Sequence, residues 1–378
     1  MPARERVSAT RARHEEAGSP ARQPRWGAHV GVGPHEKIKK MRVVALVHRH
    51  LIPPAKIEEG TDITAAPWRT EYDVITTLTA LGHEVQALGV HDDLGEIRRL
   101  VEEWKPHIAF NLLEGFDDIT IFDQNVISYL ELLKLSYTGC NPRGLLLSRD
   151  KSLSKKLLHY HRIPVPEAEV FRIGRPIRRP KRLTFPLIVK SLTQEASIGI
   201  SQASVVDSDE KLKERVTFIH ESIGTAAIAE QYIEGRELYV GILGNQALQA
   251  LPVWELFFTN MPEGAKRIAT DRVKWSVKYQ KKYGIDSGPA TDLPEGKAEG
   301  IQHLCKRTFR ALELSGYARI DLRLDEAGNP WVLEANPNPQ IAKGEDFAES
   351  AAKIGLAYDA VLQRIINLGV RWQPESVA

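Results

Sequence analysis

The chain has 378 residues, 42% hydrophobic and 26% charged, enough for two or three domains with well-filled cores. Fifty-one lysines and arginines against 49 acids leave no global field for nucleic acid or a membrane surface, so an anionic ligand must be met locally. Cys140 and Cys305 fit neither a paired metal spacing nor a secreted disulfide framework, and no apolar run approaches the ~18–20 residues of a bilayer span, so a reducing cytoplasm is the expected compartment.

Residues 1–40 are rich in Arg, Ala, Pro and Gly and show no sustained hydrophobic period; they read as a disordered, solvated leader. Met41 opens the first apolar strand, "MRVVALVH". From there short β-like runs alternate with amphipathic helices, which favours an α/β (α+β) architecture. Val74, Leu78 and Leu81 fall at helical spacing before the strand "HEVQALGV". Leu94, Ile97, Leu100, Val101 and Trp104 mark another helix before "PHIAFNLLEG", and Val126, Tyr129, Leu130 and Leu133 a third. "SYTGCNP" reads as a loop, and residues 41–149 as a small parallel-sheet domain.

Ser148 or Asp150 can cap the next helix, which Pro164 and Pro166 end. "FPLIVKS", "ASIGISQASVV" and "AAIAEQYI" follow as strands, with a helix between Ser208 and Ser222. "RELYVGILGNQALQALPVWEL" reads as a hairpin turned at Gly244-Asn245. Beyond the polar stretch "VKYQKKYG", a helix over Ala298–Leu314 leads to a last hairpin.

That hairpin, "ARIDLRL" and "WVLEANP" joined by "DEAGNP", carries the clearest chemistry. Its apolar positions are Ile320, Leu322 and Leu324 on one strand and Trp331, Leu333 and Ala335 on the other. With Leu324 opposite Trp331, Asp321 falls opposite Glu334 and Arg319 opposite Asn336. Two like charges facing each other across a hairpin need a remedy. One remedy is a divalent cation on the hard oxygens of Asp321, Glu334 and Asn336, of the kind Mg²⁺ accepts; the other is a solvated face with a salt bridge from Arg319.

Magnesium on carboxylates implies a polyphosphate, yet the sequence has no G-x-x-x-x-G-K-[ST] loop and no G-x-G-x-x-G after a strand. Other groups must grip it. Lys190 ends "FPLIVK" just before the small residues of "SLTQEASIGIS", and Lys151 stands near a helix N-terminus, where the dipole favours anions. "AEQYIEGRE" sets two acids around a glycine turn, suited to a base edge and a ribose hydroxyl.

In order along the chain, "YTGCNPRGLLLSRDKSLSKKLLHYHRIPVP", "PLIVKSLTQEASIGIS", "IAEQYIEGRELYVGILGN", "VKYQKKY" and "ARIDLRLDEAGNPWVLEANPNPQ" resemble the D-alanine:D-alanine ligase branch of the ATP-grasp enzymes, over about residues 41–369. The resemblance implies an ATP-grasp fold: the N-terminal α/β domain at 41–149, a central subdomain at 150–233, a C-terminal subdomain with the metal site at 234–372, and a tail at 373–378. It implies that Lys151 and Lys190 contact ATP phosphates, that Glu230, Tyr232 and Ile233 line the adenine pocket, and that Glu237 holds the ribose. Asp321, Glu334 and Asn336 would hold two Mg²⁺ ions, with Mn²⁺ an acceptable substitute; Arg319 would steady the reaction intermediate, and Ser197, Lys278 and Tyr279 belong to loops that close over the site. The implied reaction is ATP-dependent amide formation through an acylphosphate, on small amino-acid, peptide or amine substrates, with no nucleic-acid or membrane partner; a homodimer is suggested by the resemblance alone.

The departures all fall where substrates bind. The family's Gly-Gly and Ser-x-Glu-Arg-Glu-Val-Ser signature is missing from "VALVHRHLIPPAKIEEG", leaving Glu71 as a displaced substitute at best. Glu114 replaces the histidine of the family's Leu-His-Gly turn, Gln340 the glycine whose N–H helps hold the intermediate, and Glu345 falls near the serine that receives the second carboxylate. An acid there would repel a free D-alanine carboxylate, or else Glu114 and Glu345 point to solvent. The expected function is therefore a carboxylate–amine ligase with altered substrates; the alternatives are a genuine D-alanine:D-alanine ligase, an ATP-dependent phosphotransferase, and a nucleotide-binding module without turnover. A chain beginning at Met41 is expected to fold and to work, and loss of solubility or activity on that truncation would refute the reading of the leader.

Overall fold

The computed structural model describes residues 39–194 and 197–374; all but the last two residues of the leader and most of the tail lie outside this range. The first sheet comprises β1 (Arg42–His48), β2 (Glu84–Val90), β3 (Ile108–Asn111) and β4 (Ser136–Tyr137), all parallel in the order β2-β1-β3-β4. The continuous apolar run of β1 is buried from Val43 to Val47, as a strand covered on both faces requires. Helices α1 (Arg69–Ala80), α2 (Gly95–Trp104) and α3 (Asp123–Leu132) make the crossovers. The loop expected at "SYTGCNP" begins with β4, two residues too short to show alternation in sequence.

Two short helices lead onward. In α4 (Pro142–Arg149) Asn141 caps the Gly144 N–H, and in α5 (Lys151–Tyr160) Asp150 accepts from the N–H groups of Ser152 and Leu153. Asp150 is thus the cap, while the Ser148 hydroxyl donates back to the Gly144 carbonyl. The second sheet is antiparallel, with β5 (Ala168–Phe171), β6 (Leu187–Ser191), β7 (Val205–Val206) and β8 (Ala227–Gln231) in the order β5-β8-β6-β7, backed by α6 (Asp209–Phe218). Among the described residues of the strand expected over "ASIGISQASVV", only Val205 and Val206 pair; Ser197 and Gly199 adopt φ of 63° and 73°, which breaks extended structure.

The third sheet has β9 (Arg236–Leu243), β10 (Gln249–Ala250), β11 (Trp254–Phe258), β12 (Ile285–Pro289), β13 (Tyr317–Leu324) and β14 (Pro330–Asn336). Its order is β12-β11-β9-β13-β14, with β10 on β9, and every pairing is antiparallel. Helices α7 (Asp271–Trp275), α8 (Val277–Tyr283), α9 (Lys297–Ala311), α10 (Asp346–Ala352) and α11 (Tyr358–Arg371) complete the chain. No helix among the described residues is long and apolar enough to cross a membrane.

The register of β13 and β14 decides where the chemistry sits. Asp321 pairs with Glu334 and Arg319 with Asn336, as expected, but Leu324 pairs with Pro330 rather than Trp331. A bulge between Asp321 and Leu322 absorbs the difference, so that Val332, and neither Trp331 nor Leu333, joins Ala335 in the core. Leu333 and Glu334 are therefore both turned to the cavity described below.

The first and third sheets share their apolar core: Val43, Ile108 and Phe110 cluster with Leu243, Tyr317, Phe347 and the α11 residues Val361 and Ile365. The second sheet keeps a separate cluster around Leu187, Val189, Leu212 and Val216. Helix α11 reaches the first sheet through Gly369, where an added Cβ would press into the Tyr137 carbonyl oxygen. In α9, by contrast, a Cβ at Gly300 would meet nothing within 4 Å. Gly300→Ala should therefore raise stability by about 0.5–1 kcal/mol. Gly369→Ala, which gains the same helix propensity, should nevertheless lower stability by ~1–3 kcal/mol, because backbone cannot yield as a side chain can; thermal melts of the two variants read opposite signs.

Candidate active site

A cavity with about 810 Å³ of open space lies where α5, the second sheet and the third sheet meet. Lys151, Lys190, Ser197, Glu230, Tyr232, Ile233, Glu237, Asp321 and Glu334 all line it. The Asp150 cap sets Lys151 in the first turn of α5, and Lys155 follows one turn later; both are 6% exposed. Lys190, on β6, and Lys155 converge on the fully buried Glu230 of β8, at 3.1 and 3.3 Å. Neither Glu230 oxygen makes a hydrogen bond of normal geometry, so the carboxylate is charge-balanced while retaining acceptor capacity.

Burial lowers the Lys151 pKa to about 8, with Lys190 adding to the shift and Glu334, 3.8 Å away, opposing it. Burial acts on Lys190 in the same sense, but Glu230 and Glu334 outweigh it and raise its pKa. The Lys151 ammonium also donates to the Gln194 carbonyl at 2.7 Å.

On β13 the two-residue period presents Arg319, Asp321 and Arg323 to one side. Arg319 grips both Asp321 oxygens at 2.7 and 2.9 Å and stacks 4.6 Å from the centre of the Tyr239 ring. The Asn336 amide donates to Asp321 at 3.0 Å. Burial alone would raise the Glu334 pKa; Lys151, Lys190, Lys274 and Arg319 together reverse this and hold it at about 2. Asp321 is moved the other way, by burial first, with Glu334 adding and Arg319 opposing.

The salt bridge foreseen as the alternative to metal is thus formed, but on a buried face, with Asp321 5% exposed. The donor set still fits a hard cation. Glu334 is held ionised, Asn336 presents its carbonyl oxygen when its NH₂ is on Asp321, and Asp321 keeps lone pairs beyond those facing Arg319.

Two loops roof the cavity. Ser197 donates to the Ala269 carbonyl at 2.7 Å, and Gln202 exchanges hydrogen bonds with the Lys266 backbone at 2.8 and 2.9 Å. Ile198, Ile200, Ile268 and Lys274 complete the roof. Lys278 and Tyr279, expected there, are elsewhere: α8 leaves Lys278 exposed and packs Tyr279 against Tyr283, with ring centres 4.6 Å apart. The lysine that reaches the cavity is Lys274, one helix earlier.

Sequence reading also missed Lys155 and Arg323. Lys155 lies four residues after Lys151 and so shares its helix face; Arg323 lies two after Asp321 and so shares its strand face. Both periodicities were available as signals. Arg323 binds the second oxygen of Glu237 at 2.7 Å, and the Tyr239 hydroxyl donates to the first at 3.0 Å.

The residues that depart from the family pattern sort differently. Glu345 is half-buried and compensated, since Arg69 pairs with it at 2.9 Å. Repulsion of a carboxylate by Glu345 therefore loses its basis. Arg69 also donates to the Lys343 carbonyl, and Asp73 accepts from the Lys343 N–H at 2.9 Å, so the loop after β14 is tied to α1. Gln340 is half-buried. Glu114 keeps exposed surface, yet the surrounding protein raises its pKa, with Arg149 opposing and Asp123 adding. Glu71 is 4% exposed with one oxygen unpartnered, and burial, reinforced by Glu114, raises its pKa to about 7.

Comparison with known proteins agrees with this architecture. The family model described as D-ala D-ala ligase C-terminus matches residues 162–367. A D-alanine–D-alanine ligase of Bordetella petrii is 33% identical across 74% of this chain and 85% of its own length. The uncharacterised protein y4sG of Sinorhizobium fredii is 30% identical across 81% and 89%. Among solved structures, the D-alanine–D-alanine ligase of Bacillus anthracis complexed with ATP superposes with a TM-score of 0.66 at 22% identity, covering 88% of this chain and 98% of that one. The chain belongs to the D-alanine–D-alanine ligase family of ATP-grasp enzymes, the ATP-dependent ligases that form carbon–nitrogen bonds.

Proposed function

We propose that the chain joins a carboxylate to an amine at the cost of ATP, on amino-acid or peptide substrates other than a pair of D-alanines. The observation that carries the reading is the convergence of Lys151, Lys190, Asp321 and Glu334 on one cavity, with Arg319 and Asn336 beside them on the same hairpin face. The γ-phosphoryl group of ATP would pass to a substrate carboxylate, giving an acylphosphate and ADP; the amine nitrogen then attacks the acyl carbon, phosphate leaves, and loss of a proton from nitrogen gives the amide.

The residues have separable tasks in this scheme. Lys151 and Lys190 supply positive charge to the phosphates from buried positions, where charge acts more strongly than in water. Glu230 accepts from the adenine amino group with the oxygens it leaves without hydrogen bonds, and Tyr232 and Ile233 flank the base. Glu237, oriented by Arg323 and Tyr239, holds the ribose. Asp321, Glu334 and Asn336 would hold Mg²⁺, which neutralises phosphate charge when bound. Arg319, fixed by Asp321 and Tyr239, stabilises oxyanion charge on the substrate side. The roof from Ser197 to Lys274 excludes water, which an acylphosphate requires.

The altered substrate pair rests on Glu71, Glu114 and Gln340. A buried carboxyl with one oxygen unpartnered, whose pKa a second acid helps to raise, suits a cationic amine rather than a carboxylate.

Asp321→Asn and Glu334→Gln should each reduce ADP formation by about 10³-fold or more in a chain that still folds, with a lowered melting temperature because Arg319 or Lys151 loses a buried counter-charge; activity near wild type in either variant would sink the assignment. A screen of ADP release over L- and D-amino acids and dipeptides, singly and in pairs with mass analysis of products, should find a pair at least ~100-fold better in kcat/KM than D-alanine alone. Efficient production of D-alanyl-D-alanine would restore the genuine D-alanine ligase instead.

A further inference from the structure

A second cluster of ligating side chains stands at the edge of the first sheet, and none of its members lines the cavity. His48 ends β1 and His91 follows β2; the parallel register sets His48 opposite Val90, so both imidazoles leave the same end of the sheet. The turn after β3 brings Asp118 to them. His48 Nε2 lies 3.6 Å from one Asp118 oxygen, and His91 Nε2 lies 3.3 Å from the other. One ligating atom from each of the three residues falls within 4.8 Å of the rest.

The first separation is beyond hydrogen-bond distance and the second is a long hydrogen bond, and both suit ligands that share an ion. Zinc–nitrogen and zinc–oxygen bonds of about 2.0–2.2 Å place neighbouring tetrahedral ligands roughly 3.4 Å apart, so a small rotation of one ring would close the set. Two imidazoles and one carboxylate also select against Mg²⁺, which takes oxygen ligands, and favour ions such as Zn²⁺. The surroundings resemble the support such ligands receive. His91 Nδ1 faces an Asp92 oxygen at 3.6 Å, beyond hydrogen-bond distance but on the side where a supporting carboxylate stands behind a ligating imidazole. At His48 the His50 N–H approaches Nδ1 at 3.4 Å, a long contact given up when the ring proton moves to Nδ1. His50 brings a third imidazole, its ring centre 5.3 Å from that of His48 and 6.2 Å from that of His91.

We infer that His48, His91 and Asp118 form a binding site for one divalent transition-metal ion of the zinc class, separate from the oxygen-donor site on the last hairpin. The ion would cross-link the ends of β1 and β2 to the turn in which Asp117 and Asp118 both hold left-handed φ, of 53° and 56°. That turn follows Glu114 by only a few residues, so a bound ion would also steady the segment after β3.

The test uses the full chain, freed of metal by a chelator and titrated with ZnCl₂ alone, followed by calorimetry and thermal melting; CoCl₂ gives a visible absorption readout. One Zn²⁺ per chain with a Kd below about 10 μM is expected, with a melting temperature that rises to saturation. Because the Asp118 side chain is 78% exposed, Asp118→Asn should fold normally. Asp118→Asn and His91→Ala should each weaken Zn²⁺ binding by about tenfold or more. His303→Ala, on the exposed side of α9, should leave it unchanged. Failure to take up Zn²⁺ at ~50 μM, or uptake undiminished in the His91→Ala, Asp118→Asn double variant, overturns the site.

Discussion

Asp321 and Glu334 face each other across an antiparallel pair, and the positive charge of the site is arranged around that opposition. Two carboxylates so placed repel, and the repulsion grows as water is removed. The structure answers with Arg319 from the same strand, Lys151 from the start of α5 and Lys274 from the roof, each from a different part of the chain. A second buried acid, Glu230, needs Lys155 and Lys190 in the same way. Each cation that would meet a phosphate is therefore already the counter-ion of an acid, which keeps it buried and oriented before a ligand arrives. Removal of one partner would leave an uncompensated buried charge, so these groups stand or fall together.

The way the sheets are packed follows from the same need. The first and third sheets share apolar clusters, which fixes the hairpin relative to the N-terminal domain, while the second sheet has its own core and carries Lys190 and Glu230. The hydrogen bonds from Ser197 to Ala269 and between Gln202 and Lys266 join the second and third sheets over the cavity through loops. Among the described residues these loop-to-loop hydrogen bonds lie outside the apolar cores, and such a contact is the kind that opens and closes at low cost.

On the substrate side the balance is different. Arg69 neutralises Glu345 and ties the loop after β14 to α1, so that segment serves as structural support. Glu71 has no such partner and bears a raised pKa, a cost that a cationic group would relieve.

The sequence by itself determined the parallel first sheet, the two lysines, and the facing of Asp321 with Glu334. Those depend on local periodicity: a strand alternates every two residues, a helix returns every three or four, and a cap or turn residue marks the boundary. Only the tertiary structure decided the rest. The bulge that puts Leu333 and Glu334 both toward the cavity depends on packing Val332 into the core. The choice of Lys274 over Lys278 depends on where α7 and α8 lie over the roof. The pairing of Glu345 with Arg69 joins residues far apart in the chain, and so does the meeting of His48, His91 and Asp118. Periodicity tells which face a side chain occupies, but which charge meets it across space is set by packing, and no local pattern in the chain records it.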